Sequence, residues 1–390
     1  MTNLLPCPVC DAKSGRRFLL RDSVPVQQNI LVASAQSARM VPRGKLDLHV
    51  CEDCNFVWNA AFDLDLLDYG ADYDNTQSCS SAFDAYMDDL ARELVEDRDV
   101  RGAQVVEIGC GKGLFLRKLV TWPDSGNSGI GFDTSYVGPD QDLDGRLRFE
   151  RRFYDETCLD VPADAVVCRH VIEHVPDPLA LLKAVRSALA AAPHARIWFE
   201  TPCVDWILRG EILWDFFYEH CSLFTAGSLS YLFRRAGFEV LSVRHIFGGQ
   251  YLWLEARPGA ADCRRTPQET SALALAYGDQ VERLRRDWAT RLAKLAGTGR
   301  VALWGAGAKG ATFANLVDPE ATIIDCVVDL NPAKQGRYIP GTGHAIVPPA
   351  ALADRGVTDV LVMNPNYRAE IADQLASLGA RITLLDWSSP

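Results

Sequence analysis

Residues 104–113 read Gln-Val-Val-Glu-Ile-Gly-Cys-Gly-Lys-Gly, an apolar run that stops in three glycines at alternating positions. A buried strand that turns sharply into a helix needs this pattern. Gly109, Gly111 and Gly113 let the backbone approach a ligand where a side chain would collide. The apolar residues of 114–120 then continue as a helix. Strand, glycine turn and helix in this order open a parallel α/β sheet with its ligand at the strand C-termini. Glu107, just before the first glycine, is placed to meet the amino group of a bound amino acid. A second strand, 129–132, ends in Asp133, placed to accept hydrogen bonds from a ribose diol. The loop alone also admits a dinucleotide, as a lesser alternative.

The flanking sequence narrows this. Residues 82–97 have helical apolar spacing and lead into the core. Phe153 and Tyr154 can flank an adenine ring. A third strand, 165–168, runs into Arg169-His170-Val171-Ile172-Glu173-His174-Val175-Pro176-Asp177, followed by a helix at 179–190 and a strand at 195–200. The pattern resembles the class I S-adenosylmethionine methyltransferases, at both the Glu-x-Gly-x-Gly-x-Gly loop and the Val-Ile-Glu-His-Val-Pro-Asp stretch. The resemblance implies S-adenosylmethionine as cofactor, with Glu107, Gly109, Gly111, Asp133, Phe153, Tyr154, Arg169 and His170 around it. His170 and His174 are then structural or cofactor-proximal rather than catalytic.

Of twelve cysteines, four form two Cys-x-x-Cys pairs, Cys7/Cys10 and Cys51/Cys54, within the first 65 residues. Two such knuckles supply the tetrahedral four-sulfur shell that zinc accepts, and with every position filled the metal is structural. The strand-like stretch 46–50 leads straight into the second pair. An iron–sulfur cluster is the lesser alternative.

Chemistry is expected in the segment Glu211-Ile212-Leu213-Trp214-Asp215-Phe216-Phe217-Tyr218-Glu219-His220-Cys221-Ser222-Leu223-Phe224-Thr225, where aromatic residues surround an acid–imidazole pair. His220 has the intrinsic pKa for proton abstraction near neutrality, and Glu219 can orient it or contact the acceptor. The segment resembles the Tyr-His-Glu-His-x-Ser-Tyr-Phe-Ser stretch of bacterial nucleotide-sugar C-methyltransferases, which also begin with a four-cysteine zinc module and end with a dedicated C-terminal domain. The resemblance implies that His220 deprotonates a carbon beside a ketone. Two positions depart from the family. Its tyrosine falls on Phe217, and its first histidine on Tyr218, so the phenol has moved by one residue and Tyr218 joins the catalytic candidates. Within Asp72-Tyr73-Asp74-Asn75-Thr76-Gln77-Ser78, Tyr73 matches the family's tyrosine near the cofactor.

Residues 266–296 read as a long amphipathic connector helix. A second strand and glycine loop follow, 300–304 and Gly305-Ala306-Gly307-Ala308-Lys309-Gly310, with Asp329 closing the next strand. Spacing alone admits NAD. The loop and the run from Asp329 to Thr342 resemble the C-terminal domain of the same C-methyltransferases, which implies a role in acceptor binding. Lys309, Lys334 and Arg337 are placed to face a diphosphate through charge-assisted hydrogen bonds.

The expected architecture is multidomain α/β: a zinc-ribbon-like module (1–65), a Rossmann-like methyltransferase core with helical lead-in (66–258), a helical connector (259–298) and a C-terminal Rossmann-like substrate-binding domain (299–390). A net charge of −11 argues against nucleic acid as a partner. No apolar run is long enough for a bilayer and no signal-peptide pattern opens the chain, so a cytoplasmic location is expected. The partner is then a small-molecule acceptor, in the first reading a keto-sugar nucleotide methylated on carbon. Methylation of oxygen or nitrogen on a small acceptor is the alternative. An NAD-dependent oxidoreductase or binding scaffold is the rival from another class.

Overall fold

The computed structural model describes residues 4–67, 79–260, 262, 263, 265, 269–379 and 381–385. Strands β1 (Gly15–Pro25), β2 (Arg43–Cys51) and β3 (Val57–Asn59) pair antiparallel. A two-residue strand from much later in the chain, Ser222–Leu223 (β10 by its place in the sequence), completes this sheet against β3. Each Cys-x-x-Cys knuckle ends in a short polar residue that tolerates left-handed backbone. Asp11 (φ 61°) follows Cys10, and Asn55 (φ 60°) follows Cys54. Their amides donate to the carbonyls of Cys7 and Cys51, both at 2.9 Å, so the two turns are built alike.

The second sheet contains β4 (Gln104–Ile108), β5 (Ser128–Phe132), β6 (Gln141–Asp142), β7 (Leu147–Glu150), β8 (Ala165–Arg169), β9 (Arg196–Pro202), β11 (Phe238–Ile246) and β12 (Tyr251–Pro258). Its order is β11-β12-β9-β8-β4-β5-β7-β6. The five central strands are parallel; β4, β5, β8 and β9 are mostly buried along their length, while β7 alternates buried Leu147 and Phe149 with exposed Arg148. The β11–β12 hairpin adds an antiparallel edge. Helix Pro178–Ala188 starts where Asp177 Oδ1 accepts the Ala180 amide at 2.9 Å, with proline at its first position. The lead-in helix Ser81–Arg92 ends in a π-turn at Glu93–Asp97, inside the 82–97 span expected from periodicity.

Connector helix Thr270–Ala296 crosses β1 at Gly278, where a Cβ would lie 2.0 Å from Phe18 O. Further along, Trp288 packs edge-on against Trp214 of the core and Phe313 of the C-terminal part, with ring centroids 5.8 and 5.5 Å apart. The helix is therefore packed on both sides. The third sheet comprises β13 (Val301–Trp304), β14 (Ile324–Val328), β15 (Ile346–Val347), β16 (Asp359–Val362) and β17 (Thr383–Leu385). It is wholly parallel, in the order β15-β14-β13-β16-β17. Among the described residues no helix is long and apolar enough to cross a membrane.

Candidate functional site

The glycine turn after β4 distributes its three glycines unequally. A Cβ on Gly109 (φ 68°) would lie 2.1 Å from Val171 Cγ2, and one on Gly113 (φ 71°) 2.4 Å from Phe149. Those two glycines let the turn close against its own core. At Gly111 (φ 54°) a Cβ would meet nothing within 4 Å, so this backbone faces open space. Gly111 donates its amide to Asp133 Oδ2 at 2.8 Å, which joins the ends of β4 and β5. Glu107 is buried, and its Oε2 accepts the Leu116 amide at 3.0 Å, anchoring the following helix. Burial pushes its pKa up to about 8. Tyr154 packs edge-on against Phe132 in the core (centroids 5.0 Å), while Phe153 is 73% exposed. Tyr73 lies outside the described residues.

Beyond β8, charge is concentrated below the surface. Arg169 Nε donates to Glu200 Oε2 at 2.6 Å, and its guanidinium lies 4.5 Å from the Phe115 ring centroid. Tyr86 Oη donates to Glu200 Oε1 at 2.7 Å, and His170 Nε2 stands 2.9 Å from the same oxygen. His170 Nδ1 is 3.3 Å from Glu173 Oε1, and Thr201 Oγ1 donates to Glu173 Oε2 at 3.1 Å. Burial alone would raise the pKa of Glu200, but Arg169 and His170 reverse this and hold it at about 2. Burial would likewise lower the pKa of His170, yet Glu200 and Glu173 outweigh it and raise it to about 9. His170 also carries a left-handed backbone, φ 55°, a strained conformation of the kind that gathers at functional sites. Arg169 Nη2 and Tyr154 Oη are buried without a hydrogen-bond partner among the described residues.

A cavity of about 260 Å³ opens between this network and the third sheet. One wall carries His170, Glu173, His174, Phe217, Glu219 and His220; the other carries Trp304, Gly305, Lys309, Asp329 and Lys334. His220 lies edge-on to His174 with centroids 4.8 Å apart, and 4.0 Å from the Phe217 ring centroid. Burial, then the neighbouring His174, His170 and Lys309, push its pKa well below 6.5, so the imidazole is neutral at pH 7. Glu219 Oε2 accepts the Gln28 amide at 3.0 Å, which points the acid at the N-terminal module. Lys309 Nζ is hydrogen-bonded to the Asp215 carboxylate and sits 5.6 Å from the Trp206 ring centroid. Lys334 Nζ reaches Asn29 Oδ1 at 3.1 Å and the Ala306 carbonyl at 3.3 Å.

Five of the residues singled out in the sequence, His220, Glu219, His170, Lys309 and Lys334, line this one cavity. Two further candidates lie elsewhere. Tyr218 was expected to offer a catalytic phenol, but in this irregular, turn-rich stretch its side chain faces the N-terminal module. Its ring packs on Gly44 of β2, and its Oη accepts the Asp63 amide at 2.7 Å and donates to Asp63 O at 3.1 Å. Arg337 was expected beside the two lysines, yet it is exposed and lies off the cavity. The sequence reading also passed over Glu200, Glu173 and Tyr86 as functional groups. A charged residue closing the apolar strand 197–199 was the available signal for Glu200.

The residues present suit the two groups implied by the sequence. For the cofactor, Gly111 leaves open a space that a side chain would fill, and Arg169, at the end of β8 next to β4 in the sheet, carries an orphaned donor. For the metal, Cys7, Cys10, Cys51 and Cys54 are buried in one cluster. Sulfur–sulfur distances are 3.6 Å for Cys7–Cys54 and 3.5 Å for Cys10–Cys51. Zinc–sulfur bonds of about 2.3 Å in a tetrahedron demand an edge of about 3.8 Å, close to this spacing. The amides of Val9 and Cys54 donate to Cys7 Sγ and Cys51 Sγ, both at 3.4 Å, as expected for sulfurs that carry charge. The cluster is consistent with a structural zinc site.

Comparison with known proteins gives two family matches: a methyltransferase domain over residues 80–243, and a C-methyltransferase C-terminal domain over residues 264–383. The C-methyltransferase NovU of Streptomyces niveus is 30% identical over 227 residues, 54% of this chain and 53% of NovU. The chain thus spans about half the length of this relative. Among solved structures, the 1,6-didemethyltoxoflavin-N1-methyltransferase of Burkholderia thailandensis is 18% identical (TM-score 0.35; 45% of this chain, 80% of that one). The N,N-8-amino-8-demethyl-D-riboflavin dimethyltransferase of Streptomyces davawensis is 25% identical (TM-score 0.32; 46% and 57%). The chain thus joins a stretch similar to a methyltransferase domain to one similar to the C-methyltransferase C-terminal domain, behind a buried four-cysteine cluster.

Proposed function

We propose that the chain is an S-adenosylmethionine-dependent methyltransferase that methylates carbon in a keto-sugar nucleotide or a similarly activated acceptor. The observation that carries this reading is the position of His220: a neutral imidazole in the cavity wall between the core and the C-terminal sheet. The bound sulfonium supplies an electrophilic methyl group. The turn at Gly111 and Asp133 holds the cofactor, and the paired charges of Arg169, His170 and Glu200 keep the end of β8 rigid beside it. His220 accepts the proton from the carbon beside the acceptor's ketone, which leaves that carbon nucleophilic toward the methyl group the sulfonium would supply. Glu219, through its bond to Gln28, fixes the backbone next to that histidine. Lys309 and Lys334, from the opposite wall, bring cationic groups to an anionic acceptor.

A second reading, transfer to oxygen or nitrogen, is favoured by one feature. Phe217 lines the cavity without a hydroxyl, and the Tyr218 phenol is turned away, so neither can polarise a ketone. Incubation with labelled methyl donor and a panel of nucleotide sugars separates the two. Carbon transfer predicts a C-methyl product and, with the demethylated cofactor, exchange of the acidic carbon hydrogen with deuterated solvent. His220→Ala should lower both by about 10²–10⁴-fold, the span typical of a general base, while cofactor affinity changes less than about two-fold. An O- or N-methyl product, or full turnover by His220→Ala, would contradict the carbon mechanism.

A further inference from the structure

Between helix Val204–Arg209 and β10 the chain follows an irregular path, and its residues from Ile212 to Glu219 are buried. Backbone carbonyls that are buried outside a helix or sheet ladder need partners from elsewhere. Arg21 of β1 supplies two of them. Its Nη1 donates to Phe216 O and its Nη2 to Leu213 O, each at 2.9 Å. Tyr277 of the connector helix donates to the adjacent Ile212 carbonyl at 3.2 Å. The guanidinium fork thus spans a loop of the chain that a single-point cation cannot span.

The N-terminal module continues this hold up to and past His220. Asp63 takes both hydrogen bonds of the Tyr218 hydroxyl, the Gln28 amide binds Glu219, and the Asn59 amide donates to Cys221 O at 2.9 Å. Ser222 and Leu223 then enter the module's sheet opposite Trp58 and Val57. His220 itself stands between these anchors with its ring toward the cavity.

We propose that Arg21 is a positioning residue for His220: by clamping the Leu213 and Phe216 carbonyls it fixes the segment on the N-terminal sheet and so presents the imidazole to the cavity. Arg21 does not line the cavity and touches no reacting group. The consequence for turnover rests on the proposed role of His220 as base. The placement of His220 can be read without that role.

The test uses the full-length chain as isolated, with Arg21→Lys and Arg21→Ala. Lysine keeps the charge and the stem but can serve only one carbonyl at a time. Amide hydrogen exchange should quicken at least ten-fold across residues 212–221 in Arg21→Lys and stay within two-fold across residues 104–120. In histidine-labelled protein the His220 nitrogen resonances should titrate nearer 6.5 than in the unsubstituted chain, because a loosened segment admits water. Affinity for S-adenosylhomocysteine should hold within two-fold. Free guanidinium should restore the Arg21→Ala resonances in part, a rescue that a general loss of packing would not show. Unchanged exchange and an unchanged His220 titration in Arg21→Lys would overturn the proposal, as would equal quickening in both regions. If Arg21→Ala does not fold, the two Arg21→Lys readouts decide alone. Should His220→Ala retain turnover, the base reading falls while these readouts still judge the placement.

Discussion

The chain contains two strand–glycine turn–helix units, and they differ in what lies against the turn. Both join an acid to the turn in the same way: Gly111 N donates to Asp133 Oδ2, and Ala306 N to Asp329 Oδ2, each at 2.8 Å. At the first turn the space beyond Gly111 is open. At the second, Gly310 closes the helix onto the turn, with its Cβ position 1.9 Å from Gly305 O, and Lys334 bonds the Ala306 carbonyl. Lys334 therefore stands against the second turn, while Lys309 on the following helix is held by Asp215. Similar spacing in sequence hides this, because what fills a turn comes from residues far along the chain.

The two sheets also differ in their buried acid–histidine pairs. Glu200 pairs with Arg169 and with His170, and His170 lines the cavity. Asp318 with His344 lies inside the C-terminal part, its Oδ2 3.0 Å from His344 Nε2, and Thr342 Oγ1 is 2.7 Å from His344 Nδ1. The largest expected effect is at the first pair. Glu200→Gln leaves a buried arginine without its counter-charge and should cost about 3–5 kcal/mol in denaturant unfolding. A loss below about 1 kcal/mol would mean the network is far wetter than its burial indicates.

Next comes the open turn. Gly111→Val puts a branched side chain at a left-handed position facing the cradle, and should weaken S-adenosylhomocysteine at least about 100-fold, or about 2.7 kcal/mol. Gly307→Ala at the other turn, where the Cβ position has only Asn29 Oδ1 at 3.6 Å, should leave that affinity unchanged.

Asp318→Asn should cost less than Glu200→Gln, about 1–3 kcal/mol. Its single oxygen can serve the Ile323 and Ile324 amides, at the cost of the Thr322 amide bond and of the charge that meets His344. The pairs should also respond to opposite ends of the pH scale. His170 has a folded pKa raised to about 9 from 6.5, so its stabilisation is complete below 6.5 and is lost as pH rises through 9. Asp318, lowered to about 2 from 3.8, contributes above 3.8 and loses its contribution as pH falls through 2. Unfolding followed by tryptophan emission across pH, in the parent and in each variant, should show these two windows separately.

Much of this was legible in the residues. The glycine spacing, the acids after the second strands and the paired cysteines encode local geometry, so 104–133, 301–329 and the four-sulfur cluster fold as read. The segment around His220 was found by composition and resemblance. Its facing was not, because Tyr218 and Arg21 acquire their roles from contacts across 155 and 195 positions of chain. The insertion of β10 into the N-terminal sheet is equally non-local: two residues, Ser222 and Leu223, carry no strand signal of their own. Elemental analysis should find one zinc per chain, and a folded protein without metal would leave the cysteine cluster unexplained.

The most direct measurement is calorimetry of the purified chain with S-adenosylhomocysteine and, separately, NAD, repeated on Gly111→Val and Gly307→Ala. The two-turn account predicts binding of the first compound only, abolished by Gly111→Val and kept by Gly307→Ala. Heat from NAD that Gly307→Ala removes, with none from S-adenosylhomocysteine, would contradict it.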